Sequence, residues 1–409
     1  MDQIQEIRDL VAHQGRAPGT DAERRAALHL RDRLEDIGRD ADIETALVHP
    51  RFALTHLLYA ALAVAGGLVA TSQDDIARIV GTAAVLVAAI SAFGDLTGMF
   101  HLGRRLTGRR ATQNVVSRDD TGKPGTLVLV AHYDAARSGA VFNDRAMRRR
   151  AKIGRVIRRP IGPFEPYFWS LMAILVTCAI RLAGVEGTAL NAVQFVPTIV
   201  LIVAVPLLAD IALSPIVPGA SDNASGVATV LRLADRYTDD LDDFDLWVLF
   251  TGAQESMQLG MAKFLKRHKD ELDRTSTVFV GIDNVGHGDI RYARREGYVF
   301  TSAYHPDLIA LCDQLREEDA EDRYYNAEPI VSRTATDAYR ARAKGYPAIA
   351  IGSTNELGYA PHYHQPTDTP DTVDPQALQR AYDFCSELIQ LIDEKIGPQL
   401  DAHAERATR

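Results

Sequence analysis

Four long apolar stretches constrain this chain more than any other feature of it. They are FALTHLLYAALAVAGGLVA from Phe52, IVGTAAVLVAAISAF from Ile79, WSLMAILVTCAIRLAGV from Trp169 and VQFVPTIVLIVAVPLLADIAL from Val193. Each approaches the length a helix needs to cross a bilayer, about 20 apolar residues. A single stretch of this kind also suits a buried core helix, but four in one chain favour membrane spans. The charges between them agree. Arg104, Arg105, Arg109 and Arg110 follow the second stretch, and Arg145, Arg148, Arg149, Arg150, Lys152, Arg155, Arg158 and Arg159 precede the third. The loop TSQDDIAR and the short connection around Glu186 are poor in base. Lys and Arg mark cytoplasmic loops, so the expectation is two transmembrane hairpins, 52–100 and 167–214, with both termini in the cytoplasm. Asp95, Arg181 and Asp210 lie near the ends of these stretches, where snorkelling to the interface is expected, and Pro197 and Pro206 are tolerable kinks in the fourth.

The rest of the chain, 1–51, 101–166 and 215–409, is long enough for a substantial folded unit. Hydrophobic residues make up 46% of the sequence and charged ones 24%, which excludes disorder and allows one large α/β domain with additions. A net charge of -9 gives no general attraction to nucleic acid. The basic run 145–159 adjoins a span and has no interleaved aromatics, so anionic lipid is its expected partner. Cys178, Cys312 and Cys385 are far apart and without CxxC spacing, which indicates neither a disulfide framework nor a thiolate zinc site and fits a reducing cytoplasmic setting. The start MDQIQEIRDLVAHQGRAPG has no basic segment followed by an apolar one, so no cleaved signal peptide is expected.

Outside the hairpins, helical and strand patterns alternate. Residues 20–37 read as an amphipathic helix: Thr20 and Glu23 form a capping box, Ala27, Leu30, Leu34 and Ile37 share a face, and Gly38 stops it. TLVLVAHYD, DLWVLFTGAQES, TVFVGIDNVG and YPAIAIG read as buried strands, and SDNASGVATVLRLADRY opens a helix near Ala224. Polar residues recur where the strands end, and that is where open α/β sheets bind ligands.

His132 and Asp134 follow the first of these strands two residues apart, on one face, so Asp134 can support His132 from behind. Asp222 in GASDNASG stands at a helix entry, where Ser221, Asp222 and Asn223 all suit an N-cap, and where a carboxylate can equally bridge two cations. Glu255 and Asp283 each end an apolar strand; a carboxylate there needs a partner, whether a metal or a salt bridge. PHYHQPTDT places His362 and His364 in a turn, one a potential ligand and the other its neighbour. Two imidazoles and three carboxylates form a nitrogen and oxygen set suited to paired zinc.

The order HYD, SDNASG, a strand ending in GAQE, IDN, then HQPTDT resembles the zinc exopeptidases of metallopeptidase clan MH, a group that includes bacterial leucyl aminopeptidase, glutamate carboxypeptidase and glutaminyl cyclase. The resemblance covers about 10–48 and 112–395. It implies a mixed central β-sheet flanked by helices, the phosphorylase/hydrolase-like fold, interrupted by the hairpins. It also implies two Zn2+, or another divalent metal such as cobalt or manganese, and a peptide or aminoacyl substrate. Carried over, one zinc takes His132 and Asp283, the other Glu255 and His364, and Asp222 bridges them. Asp134 matches the carboxylate behind the histidine. Asp337 also matches a position of the group, but the histidine usual after it is Ala338 here.

The larger departure is Gln254, because the group has two consecutive glutamates at this place, a general base and then a ligand. An amide can orient water but cannot accept a proton at neutral pH. Three accounts follow: another carboxylate is the base, metal-activated water attacks with little help, or the domain binds without cutting. The expected function is thus a membrane-anchored zinc aminopeptidase-like exopeptidase. Its rival is a catalytically silent membrane receptor or scaffold, with a single-zinc aminoacyl cyclase third. The hairpin 167–214 separates His132 from Asp222, and the chain must cross the membrane an even number of times to bring them together. Two spans satisfy this and put the site on the cytoplasmic side, close to the bilayer.

Overall fold

Apolar β-branched runs in the middle of the chain pair into one sheet, and the helices that cover it come from the amphipathic segments between them. The computed structural model describes residues 1–407. Helices α1 (Gln3–Ala12) and α2 (Asp21–Asp36) precede strand β1 (Ala41–Val48). Then come the apolar helices α3 (Phe52–Val69) and α4 (Asp75–Thr97), and strands β2 (Arg110–Arg118) and β3 (Gly125–His132). Helix α5 (Asp144–Val156) leads into the second apolar pair, α6 (Glu165–Leu182) and α7 (Thr188–Leu213). After these follow α8 (Ser225–Tyr237), β4 (Phe244–Thr251), α9 (Leu259–Arg267), β5 (Thr277–Ile282), β6 (Asp289–Glu296) and β7 (Ser302–Ala303). The chain ends with α10 (Pro306–Glu318), β8 (Glu328–Ser332), α11 (Asp337–Ala343), β9 (Ala348–Thr354) and α12 (Pro375–Ala407).

The strand order is β1-β2-β4-β3-β5-β9-β6-β7, with β8 paired to β6. Its centre, β4-β3-β5-β9, is parallel, and the flanking pairings of β1 with β2, β2 with β4 and β9 with β6 are antiparallel. Parallel strands covered on both faces carry apolar residues throughout, and Leu127 to Ala131 of β3 are all buried. This is the mixed, helix-flanked α/β sheet expected from the sequence. Helix α2 begins where its capping box predicts, with Thr20 accepting the Glu23 amide at 3.2 Å.

The four apolar helices bundle together, α3 against α4 and α7, and α6 against α4 and α7. Where α3 and α4 meet, a Cβ on Gly66 would lie 2.7 Å from the Gly81 carbonyl oxygen, so the backbones touch, as small residues allow in membrane helices. Each of the four is long and apolar enough to cross a bilayer. Their outward residues, among them Leu68, Ile79, Val87, Trp169, Phe195 and Val203, leave a broad apolar surface exposed.

Two of the three charged residues expected to snorkel, Asp95 and Arg181, are buried instead. Asp95 is 1% exposed, held by Arg104 Nε at 2.6 Å, His101 Nδ1 at 2.5 Å and His56 Nε2 at 3.0 Å. Arg181 is buried and donates to Asn191 Oδ1 and Gln194 Oε1. Partners from neighbouring segments satisfy both groups, which removes the need to reach water. Asp210 accepts the Ala140 amide at 2.6 Å.

Candidate metal centre

Because β3, β4 and β5 run parallel, the residues that follow them gather at one edge. His132 is the last residue of β3, Glu255 lies in the turn after β4, and Asp283 comes directly after β5. Asp222 precedes α8, and His364 lies in the loop after β9. Asp222 stands between the two imidazoles: Oδ1 is 3.4 Å from His132 Nε2 and Oδ2 is 3.2 Å from His364 Nε2. Each histidine has a second carboxylate of its own, Asp283 at 3.7 Å from His132 and Glu255 at 3.3 Å from His364. His132, Asp222 and Glu255 alone present three donor atoms within 4.8 Å of one another.

These donors fit a metal on two counts. Bonds of about 2.0–2.1 Å in a tetrahedron put ligand atoms about 3.3 Å apart, close to the separations seen here. In addition, Asp222 Oδ2 and His364 Nε2 are buried without a hydrogen-bond partner, an arrangement that folded proteins avoid unless something else satisfies the atoms.

The electrostatics say the same. Burial lowers the pKa of His364, but the neighbouring carboxylates of Glu255 and Asp222 outweigh it and raise the imidazole to about 10. His132 is likewise held well above its usual value, burial being overcome by Asp134 and Asp222. Burial pushes Asp283 up to about 8 and raises Glu255, whereas both imidazoles overcome burial at Asp222 and hold it low. In the metal-free site protons supply the positive charge that the carboxylates require.

Asp134 does more than back His132. Its Oδ1 is 3.5 Å from His132 Nδ1, but its two oxygens accept the backbone amides of Gln254 and Glu255, each at 3.0 Å. It therefore shapes the turn that carries a candidate ligand. The Gln254 side-chain amide donates to the Ala335 carbonyl at 3.2 Å. Asp222 is not an N-cap: Asn223 Oδ1 accepts the Gly226 amide instead, leaving both Asp222 oxygens to the histidines. Of the two histidines in PHYH, only His364 joins the cluster. His362 Nδ1 pairs with Thr367 Oγ1 at 2.8 Å. Asp337 accepts the Thr251 hydroxyl at 2.5 Å, and Ala338 is buried against Gly281 of β5.

Several supporting residues escape a reading of the sequence. Glu23, read as a cap, is fully buried and accepts the amides of Gly19 and Ala253 and the Thr112 hydroxyl; burial, reinforced by Asp134, pushes it up to about 8. Asp368 accepts the amides of Ser221 and Asp222 at 2.7 and 3.0 Å, fixing the carboxylate shared by both histidines. Arg16 ties the Tyr133 carbonyl to those of Pro218 and Gly219. Tyr363 stacks on the His364 ring with centroids 3.8 Å apart, and Phe142 meets it edge-on at 4.5 Å. The motif position of Asp368, in HQPTDT, was the one available signal.

Residues 206–389 match the family model described as Peptidase family M28. No curated protein sequence matches the chain. Among solved structures, it is similar to the Bacteroides thetaiotaomicron glutaminyl cyclase bound to N-acetylhistamine, at 13% identity and a TM-score of 0.55, over 95% of this chain and 96% of the other. The aminopeptidase from Aneurinibacillus sp. strain AM-1 gives 13% identity and 0.52, covering 95% and 92%. A Zn-dependent exopeptidase from Parabacteroides distasonis gives 13% and 0.50, covering 96% and 97%. At such identities the likeness is one of fold.

Proposed function

With a zinc-exopeptidase fold as the premise, we propose that this chain is a membrane-anchored, aminopeptidase-like exopeptidase that holds two zinc ions at His132, Asp283, Asp222, Glu255 and His364. One observation carries the reading: the two oxygens of Asp222 address different histidines, at 3.4 and 3.2 Å, and each histidine has its own second carboxylate. When bound, paired zinc polarises a scissile carbonyl and eases deprotonation of water. The protein's share is placement. Asp134 and Glu23 hold the turn bearing Glu255, Asp368 holds Asp222, and Tyr363 with Phe142 clamps the ring of His364. A silent receptor is the second reading, favoured by the tether of the Gln254 amide to the Ala335 carbonyl.

Purified full-length protein is expected to bind two zinc ions per chain and to release N-terminal residues from aminoacyl and dipeptide substrates. Metal analysis giving one zinc or fewer would sink the paired site. In this reading α3, α4, α6 and α7 cross the membrane, the metal centre and both termini face the cytoplasm, and the exposed basic face of α5 lies on anionic lipid. The three native cysteines are buried, so single cysteines at the exposed positions Asp75 and Arg148 report topology cleanly. They are expected to react with an impermeant reagent from opposite sides of the membrane. Labelling from the same side would rule the hairpins out.

A further inference from the structure

The turn carrying Glu255 is built from unfavourable backbone. Ala253, Met257 and Gln258 are non-glycine residues with φ of 51°, 66° and 55°, left-handed conformations that persist only where the surroundings impose them. From the sheet side Asp134 and Glu23 supply that restraint. From the other side it comes from the first apolar hairpin and the residues that flank it. Arg104 Nη1 donates to the Ser256 carbonyl at 2.7 Å, and the Ser256 hydroxyl donates to the Pro50 carbonyl at 2.8 Å. Met257 is buried in the same apolar cluster as Tyr59 of α3, Leu96 of α4 and Phe168 of α6.

Arg104 is itself 1% exposed, and a buried guanidinium needs a counter-charge. Asp95 provides it from within α4, with His56 of α3 and His101 on its remaining edges. The Tyr59 hydroxyl accepts the Gly103 amide at 2.9 Å and fixes the turn from which Arg104 projects. An unbroken chain of buried polar contacts therefore runs from α3 and α4 through Asp95 and Arg104 to the residue after Glu255. Neither Arg104 nor Asp95 contacts any of the five candidate ligands.

We propose that Arg104, oriented by Asp95, is a positioning residue for Glu255, so that the first apolar hairpin is a structural part of the metal centre as well as an anchor. The proposal rests on the two-zinc reading. It predicts a selective defect: the zinc held by Glu255 and His364 depends on the hairpin, and the zinc held by His132 and Asp283 does not.

The test is a zinc titration of the full-length protein in detergent. Wild type is expected to fill two sites. Arg104→Met is expected to weaken one site by about 10-fold to 100-fold, the usual cost of losing a group that orients a ligand, and to leave the other unchanged. With cobalt in place of zinc, its absorption spectrum should approach that of Glu255→Ala, and Arg104→Met should add no further loss in a Glu255→Ala background. Should Arg104→Met fail to fold, Asp95→Asn removes the counter-charge at nearly constant shape and is expected to show the same selective loss in weaker form. Unchanged affinities at both sites, or equal losses at both, would overturn the positioning role and leave the two-zinc reading standing. A wild-type chain that takes fewer than two zinc ions would instead remove the premise.

Discussion

Replacing Gln254 with glutamate is expected to raise the rate of peptide hydrolysis by about 100-fold to 10,000-fold, the usual contribution of a general base. The gain should appear in kcat, with zinc stoichiometry unchanged. Gln254 precedes Glu255 in a turn whose two amides are both fixed by Asp134, so the exchange leaves the ligand-bearing backbone held as before. What changes is the side chain. The glutamine donates to the Ala335 carbonyl, which a carboxylate cannot do. Ala335 keeps the Gln258 amide at 2.6 Å, so no carbonyl is left unpaired by the substitution. A freed carboxylate then has reason to turn toward the cationic cluster. Steady-state kinetics on a dipeptide substrate check this. An unchanged rate in a zinc-loaded variant would mean that another group already accepts the proton. Asp337 would be the first to substitute, since burial pushes it up to about 6 and its Oδ1 is buried without a partner.

That the site could be read at all from the sequence follows from how parallel sheets work. His132, Glu255 and Asp283 each follow a buried apolar strand, a position where an ionisable residue needs a partner, and parallel pairing of the three strands brings them together. The apolar helices were legible from length and composition alone. What was not legible depends on contacts that no local pattern encodes. Glu23 sits in a sound capping box, and nothing nearby reveals its bond to Ala253, 230 residues away. Asp134 lies beside His132 in the sequence, yet its carboxylate serves amides 120 and 121 residues further on. Asp95 resembles an interfacial charge until Arg104, His56 and His101 are seen around it. In each case the local reading offered a sufficient explanation, and tertiary packing gave the group a second partner.

Asp222→Ala is expected to do more damage than loss of any other candidate ligand. Asp222 alone reaches both histidines, so its removal should eliminate tight binding at both metal sites and reduce hydrolysis by about 1,000-fold or more, below a typical detection limit. Glu255→Ala and Asp283→Ala should each retain one zinc. Equal stoichiometry in all three variants would show that Asp222 does not bridge. The pH behaviour of the metal-free protein gives an independent measure. His364 is raised to about 10 and His132 well above its usual value, so folding takes up protons at both. Groups raised in this way contribute stability that is complete below about pH 6.5, their unfolded value, and is lost as the pH climbs through the folded one. Asp283, pushed up to about 8, acts in the same direction. Metal-free wild type should therefore melt at progressively lower temperature between about pH 7 and 10, and zinc should restore the loss by displacing the protons. Proton release on zinc binding, measured by calorimetry in buffers of different ionisation enthalpy, should correspondingly be large near pH 7 and shrink as the pH rises. In Asp222→Ala the carboxylate that faces both imidazoles is gone, so the melting temperature should vary less steeply with pH. A slope as steep as that of wild type would mean that Asp222 does not hold those protons in place.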